Sequence, residues 1–180
     1  MIRVRAAVAL VTGLLAGLVA GSAACGGSTT DSEPTEMREG AVEANAVVEQ
    51  IVDGDTIDVL IDGREERVRL TGIDTPERER RDTGTPAECF AAESTSFTES
   101  LVPVGTPVRL ERDIVGRDDY GRILAYVYRA ADGIFVNFEI VRQGYARPLT
   151  IPPNVTFAEL MVVAARDAEA DDAGLWSACR

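Results

Sequence analysis

Histidine and lysine are both missing from this 180-residue chain, and all 18 of its basic residues are arginine. The first absence excludes a Ser–His–Asp triad, a histidine zinc site and an imidazole general base. The second excludes Schiff-base chemistry and a P-loop. Acid–base work must therefore rest on Asp, Glu, Tyr or Cys, and fixed positive charge on Arg. Positive charge is itself scarce: 30 acidic side chains leave a net charge of −12, which argues against holding nucleic acid on a broad basic face. At 46% hydrophobic residues the chain can bury a core, and its length suits one domain with appendages.

The N-terminus reads as an export signal. Arg3 and Arg5 precede an uncharged, mostly apolar run from Ala6 to Ala20, which is short for a membrane span and ends in Gly21, Ser22, Ala23 and Ala24. The Ala-Ala-Cys-Gly that follows resembles a bacterial lipobox, with Cys25 as the lipidated first residue of the mature chain; ordinary cleavage near Ala24 and release is the alternative. Ser22 departs from the aliphatic residue usual in that motif. The expected organisation is a signal peptide over 1–25, a flexible acidic tether over 26–45 and a folded domain over 46–180, exported and anchored at the outer face of the cell membrane. Removing Cys25 leaves Cys89 and Cys179, an even pair in an oxidising compartment and hence an expected disulfide.

Within 46–180, β-rich runs at Val47–Val52 and Thr56–Ile61 flank Asp53-Gly54-Asp55, and Asp62-Gly63 is a hairpin signal. Arg67 to Leu70 then alternates, with Val68 and Leu70 on one face and Arg67 and Arg69 on the other. Thr85-Pro86-Ala87-Glu88 has the pattern of a capping box opening a helix that runs to Leu101. Two more strands are expected at Val108–Glu111 and Ile123–Tyr128. A short helix follows at Val136–Gln143, stopped by Gly144, and Thr156-Phe157-Ala158-Glu159 opens another, through about Ala170. Five strands with a helix between the third and fourth give an α+β, mainly β class: a five-stranded OB-type barrel with about three helices.

Charge concentrates beside three turns: Asp53-Gly54-Asp55-Thr56, Arg69 to Glu77, and Asp119-Tyr120-Gly121-Arg122. Asp55 and Asp74 each follow a turn on neighbouring strands, so both carboxylates reach toward one point. Oxygen ligands without imidazole or thiolate select a hard cation such as Ca²⁺. Glu77, just past Pro76, is a separate carboxylate able to act on a water. Arg69 and Arg122 offer planar, permanent charge suited to phosphate oxygens. Together these are the parts of a phosphodiester hydrolysis site.

These segments, with Val141-Arg142-Gln143-Gly144 and the terminal Leu175-Trp176, resemble the staphylococcal-nuclease-like family over residues 46 to 178. The resemblance implies a Ca²⁺ site formed by Asp55, Asp74 and the backbone carbonyl of Thr75, with Asp53 behind it. It implies Glu77 as the residue that positions or deprotonates the attacking water, Arg69 and Arg122 on the scissile phosphate, and Tyr120 on the nucleotide's phosphate or sugar. DNA and RNA would be substrates, cleaved to 3′-phosphates by a monomer. Two features depart from the family. Residues 46–180 carry 15 Arg against 25 Asp and Glu, a charge of −10. Where relatives place stacking tyrosines, this chain has Pro148-Leu149-Thr150-Ile151-Pro152, leaving Tyr145 as a partial replacement. A catalytically idle module that binds nucleic acid or a protein partner is the second reading; retention of Glu77 and both arginines speaks against it.

Overall fold

The structure is a computed structural model describing residues 40–180, so the expected signal peptide, Cys25 and the expected tether up to residue 39 lie outside the described residues. Five strands close a barrel: β1 (Ala46–Ile51), β2 (Thr56–Ile61), β3 (Arg64–Leu70), β5 (Pro107–Glu111) and β6 (Ile123–Arg129), in the order β1-β2-β3-β6-β5. All neighbours are antiparallel except β3 and β6, which closes the barrel with a parallel pair. The hairpin turns at Asp62-Gly63 as expected, putting Ile61 opposite Arg64. Alternation along β3 sends Val68 and Leu70 into the core and Arg67 and Arg69 to the other face, where Arg67 grips the buried Asp58 with two hydrogen bonds of 2.8 and 2.9 Å.

β6 is buried on both faces, which is why Ala125 and Tyr126 adjoin without alternating. Ala125 and Val127 face the barrel core, while the aromatic rings of Tyr126, Tyr128, Phe135 and Phe157 cluster together, with Tyr126 and Tyr128 each against Phe135. Four helices accompany the barrel: α1 (Ala91–Leu101), α2 (Val136–Arg142), α3 (Ala158–Ala170) and the four-residue α4 (Leu175–Ala178), one more than expected. A further two-stranded sheet, β4 (Ile73–Asp74) with β7 (Arg147–Pro148), was not foreseen; it sets Asp74 opposite Arg147. Among the described residues, no helix is long and apolar enough to cross a membrane.

Three expectations need correction. Residues 40–45, read as the end of a tether, are docked on the barrel: Gly40 and Val42 donate to the carbonyls of Asp132 and Ala130, and the Asn45 side chain clasps the backbone of Leu110 at 2.8 and 3.0 Å. The Thr85–Glu88 capping box does not cap. Thr85 pairs with Arg80 and Glu88 with Glu77 across a loop, so their backbone groups are already used, and α1 starts only at Ala91 after a left-handed Phe90. Thr156 likewise turns away from its helix: its N–H and hydroxyl both donate to the Asp113 carboxylate, which also accepts from Tyr126.

The C-terminus is fastened twice. The Cys89–Cys179 disulfide forms, with a Cα separation of 5.8 Å. Next to it, Gly144 and Gly174 meet backbone to backbone, and Leu175 donates to the Gly144 carbonyl at 2.8 Å. A Cβ on Gly144 would stand 2.4 Å from the Ala173 carbonyl oxygen, so glycine is required there for space as well as for its φ of +76°.

Candidate active site

The β1–β2 turn carries Asp53, Gly54 and Asp55. Asp53 Oδ1 accepts the Asp55 N–H at 3.1 Å, an Asx turn that aims the next carboxylate inward. Thr98 of α1 donates to the Gly54 carbonyl at 2.6 Å and holds the turn from behind. Gly54 lies so close to Thr75 that an added Cβ would stand 2.7 Å from its hydroxyl, which is what brings the turn against the chain beyond β4. Asp55 is only 6% exposed, and its Oδ2 accepts both the N–H of Thr75 (2.8 Å) and its hydroxyl (3.1 Å).

Arg69 sits at the mouth of this cluster. Its Nη1 donates to the carbonyls of Leu70 and Ile73 at 2.8 and 2.9 Å, and its Nη2 lies 3.1 Å from Asp55 Oδ2 and 3.2 Å from Asp74 Oδ1. One cationic nitrogen thus touches both carboxylates expected to hold a metal, so the two do converge. Burial is the main influence on Asp55 and, with the nearby Asp53 charge, outweighs Arg69 and the Thr75 hydrogen bonds, pushing its carboxyl up to about 6. Two carboxylates converging beside backbone carbonyls, with neither imidazole nor thiolate, are the donor set that suits a hard divalent cation, and Arg69 supplies the positive charge between them here. Among the described residues, no group of three or more His, Cys, Asp or Glu side chains could hold a metal ion.

Glu77 and Arg122 are brought together elsewhere. They line an open cavity of about 350 Å³ with Asp53, Thr56 and Arg67. Glu77 Oε2 accepts from Arg80 Nη2 at 3.0 Å. A second cavity, of about 410 Å³, is lined by polar Arg69, Asp118, Asp119, Tyr120 and Arg122 and by apolar Leu124, Leu149 and Ile151. Arg122 lines both cavities. Tyr120, 87% exposed, carries the Arg122 guanidinium 5.5 Å from its ring centre.

Asp118 is the residue missed by reading the sequence. Its Oδ2 accepts from Arg122 Nε at 2.6 Å, and its Oδ1 accepts the backbone N–H groups of Tyr120 and Arg122. Burial draws its carboxyl upward, but these hydrogen bonds and the Arg122 charge prevail and hold it below the usual range. The signal was available: an aspartate four residues before Arg122, across a turn at Gly121. Tyr145, offered as a replacement for stacking tyrosines, does not reach either cavity. It stacks on Phe97 at 4.0 Å and against Phe90 at 5.3 Å, between α1 and α2.

A family model described as staphylococcal nuclease homologue matches residues 67–178. The chain is 37% identical over 130 residues to the thermonuclease of Staphylococcus intermedius, covering 72% of this chain and 74% of that one. It is 34% identical over 137 residues to the thermonuclease of Staphylococcus hyicus, covering 76% and 78%. Endonuclease YncB of Bacillus subtilis (strain 168) is 32% identical over 138 residues, covering 74% of this chain and 62% of that relative. A closed five-stranded barrel with converging Asp55, Asp74 and Arg69, matched along most of its length to these relatives, places the chain in the staphylococcal nuclease family.

Proposed function

We propose that this chain is a calcium-dependent nuclease that hydrolyses phosphodiester bonds of DNA and RNA to 3′-phosphate products. The convergence of Asp55 and Asp74 on a single cationic nitrogen is the observation that carries the reading. Asp55, Asp74 and the Thr75 carbonyl would hold Ca²⁺, which would supply neutralisation of the scissile phosphate and orientation of its oxygens. Glu77 accepts the proton of the attacking water. Arg69 and Arg122 take phosphate oxygens and stabilise the charge that grows on them in the transition state. Asp118 supports this role by holding the Nε of Arg122, a residue that lines both cavities. Tyr120, beside Arg122, contacts the phosphate or sugar of the nucleotide.

The acidic surface supports a particular kinetic character. With little long-range attraction for a polyanion, binding rests on Arg69, Arg122 and the bound cation, giving modest affinity and a steep calcium dependence. The signal-like N-terminus supports export with an anchor on Cys25, and the enzyme is read as acting alone, as a monomer. A digest of single-stranded DNA with Ca²⁺ and with EDTA tests the central claim. Cleavage only with Ca²⁺ is expected; cleavage in neither condition, or an EDTA-resistant rate, would overturn it. Palmitate labelling that Cys25→Ala leaves unchanged would remove the anchor.

A further inference from the structure

Every residue from Glu77 to Cys89 is exposed, so the loop that begins at the base has no side chain in the core to locate it. Its shape comes from a short ladder. Arg80 and Thr85 exchange backbone hydrogen bonds of 2.9 and 3.1 Å. At the neck, Glu88 grips Glu77 by two bonds: the Glu88 N–H donates to the Glu77 carbonyl at 2.9 Å, and Glu88 Oε2 accepts the Glu77 N–H at 3.1 Å. Arg78 adds a strap to the Val52 carbonyl at 2.8 Å. The residue after Glu88 is Cys89, tied to Cys179 beyond α4, which itself rests on Gly144.

We propose that Glu88, fastened by the Cys89–Cys179 disulfide, is a positioning residue for Glu77. The inference rests on the reading of Glu77 as the base. Solvent-exposed backbone bonds in a segment without buried side chains open at little cost, so such a ladder holds its geometry only if its ends are held. One end is Thr75, pinned to Asp55; the other is Cys89, with one further bond of 3.3 Å from the Ala91 N–H to the Glu88 carbonyl. Releasing Cys89 leaves Glu88 on that single bond and lets the Glu77 carboxylate sample positions away from the attacking water. The phosphate-binding arginines are anchored independently, Arg69 by backbone carbonyls and Arg122 by Asp118, and do not share this dependence.

The test uses the full chain with saturating Ca²⁺ and a single-stranded DNA oligonucleotide. Steady-state kcat and KM are compared for the oxidised protein, the protein reduced by dithiothreitol, Cys89→Ser/Cys179→Ser, Glu88→Ala, Glu88→Gln and Glu77→Gln. Dithiothreitol delivers two electrons and, with two protons, converts the S–S bond to two thiols. Reduction, the double cysteine variant and Glu88→Ala should each lower kcat about 10-fold with KM nearly unchanged, the scale of a misplaced catalytic group. Glu88→Gln keeps an acceptor oxygen and should recover most of the rate lost in Glu88→Ala. Hydrogen exchange at the Glu77 and Glu88 amides should quicken on reduction while barrel amides stay protected. Unchanged kcat in reduced and Glu88→Ala protein, alongside a crippled Glu77→Gln, would overturn the positioning role and leave the base assignment standing. Loss of barrel protection in step with activity would also overturn it. Wild-type activity in Glu77→Gln would instead remove the base assignment itself.

Discussion

Asp74-Thr75-Pro76-Glu77 joins two regions built in opposite ways. At its first end, Thr75 is buried and gives its N–H and hydroxyl to Asp55, beneath a turn clamped by α1. At the other, Glu77 opens a wholly exposed loop. The fold itself makes the end proposed to hold a metal, since the turn, burial and β4 already put Asp55, Asp74 and Arg69 at one point. The end proposed to carry the base depends on a few surface hydrogen bonds and one covalent bond. The difference teaches that stability and catalysis are separable here: damage at the loop should cost rate, and damage at the barrel should register in folding.

The largest effects test the groups proposed to act on the phosphate and the water. Glu77→Gln and Arg122→Ala should each lower kcat by at least about 10²-fold, as for a lost base or electrostatic stabiliser, with an unfolding midpoint close to that of the parent. Next comes the barrel side. Asp113→Ala removes the shared acceptor of Tyr126, Thr156 and Ile114 and should cost roughly 2–3 kcal/mol by urea unfolding. A smaller loss, about 10-fold in kcat, is expected for Asp118→Ala, because Arg122 keeps its charge and loses only its direction. If Asp118→Ala proves as damaging as Arg122→Ala, then Asp118 supports more than aim.

The pH dependence of stability sharpens the contrast most. Asp55 has a folded pKa of about 6, raised from an ordinary 3.8, so its contribution to stability is full below the ordinary value and is lost as pH rises through about 6. In EDTA, stability should therefore drop between about pH 4 and about pH 6.5 by a step that Asp55→Asn flattens. An identical pH profile in Asp55→Asn would show that the barrel end carries no such buried charge.

Much of this architecture was legible in the chain. The five barrel strands follow from alternation and turn residues, and the disulfide from the even pair of cysteines left once Cys25 is set aside. Asp55 and Asp74 could be brought toward one point because each follows a turn beside a strand run. What remained hidden lies where one local signal competes with a distant partner. Thr85 and Thr156 carry sound capping patterns, but Arg80 and Asp113 take their hydrogen-bonding groups first. Tyr145 looks available for a ligand until Phe97 and Phe90 claim its ring. β4 and β7 are two residues each, too short for any periodicity to reveal. Arg69 on Asp55 is an ion pair across folded segments, invisible to spacing along the chain, whereas Arg80 stands only three residues from Glu77.

The glycine pair at 144 and 174 reaches further than its own contact. With no side chain between them, two peptide planes act as a fixed stop, and α4 comes to rest at a distance set by bare backbone. Cys179 follows four residues after Leu175, so this stop also sets where the far half of the disulfide can be offered to Cys89. A methyl group added at either glycine would act as a shim, displacing a sulfur anchor at the chain's end and, through it, the neck of the loop that carries Glu77. The last residues of the protein thus serve as a gauge against which its most exposed functional segment is set.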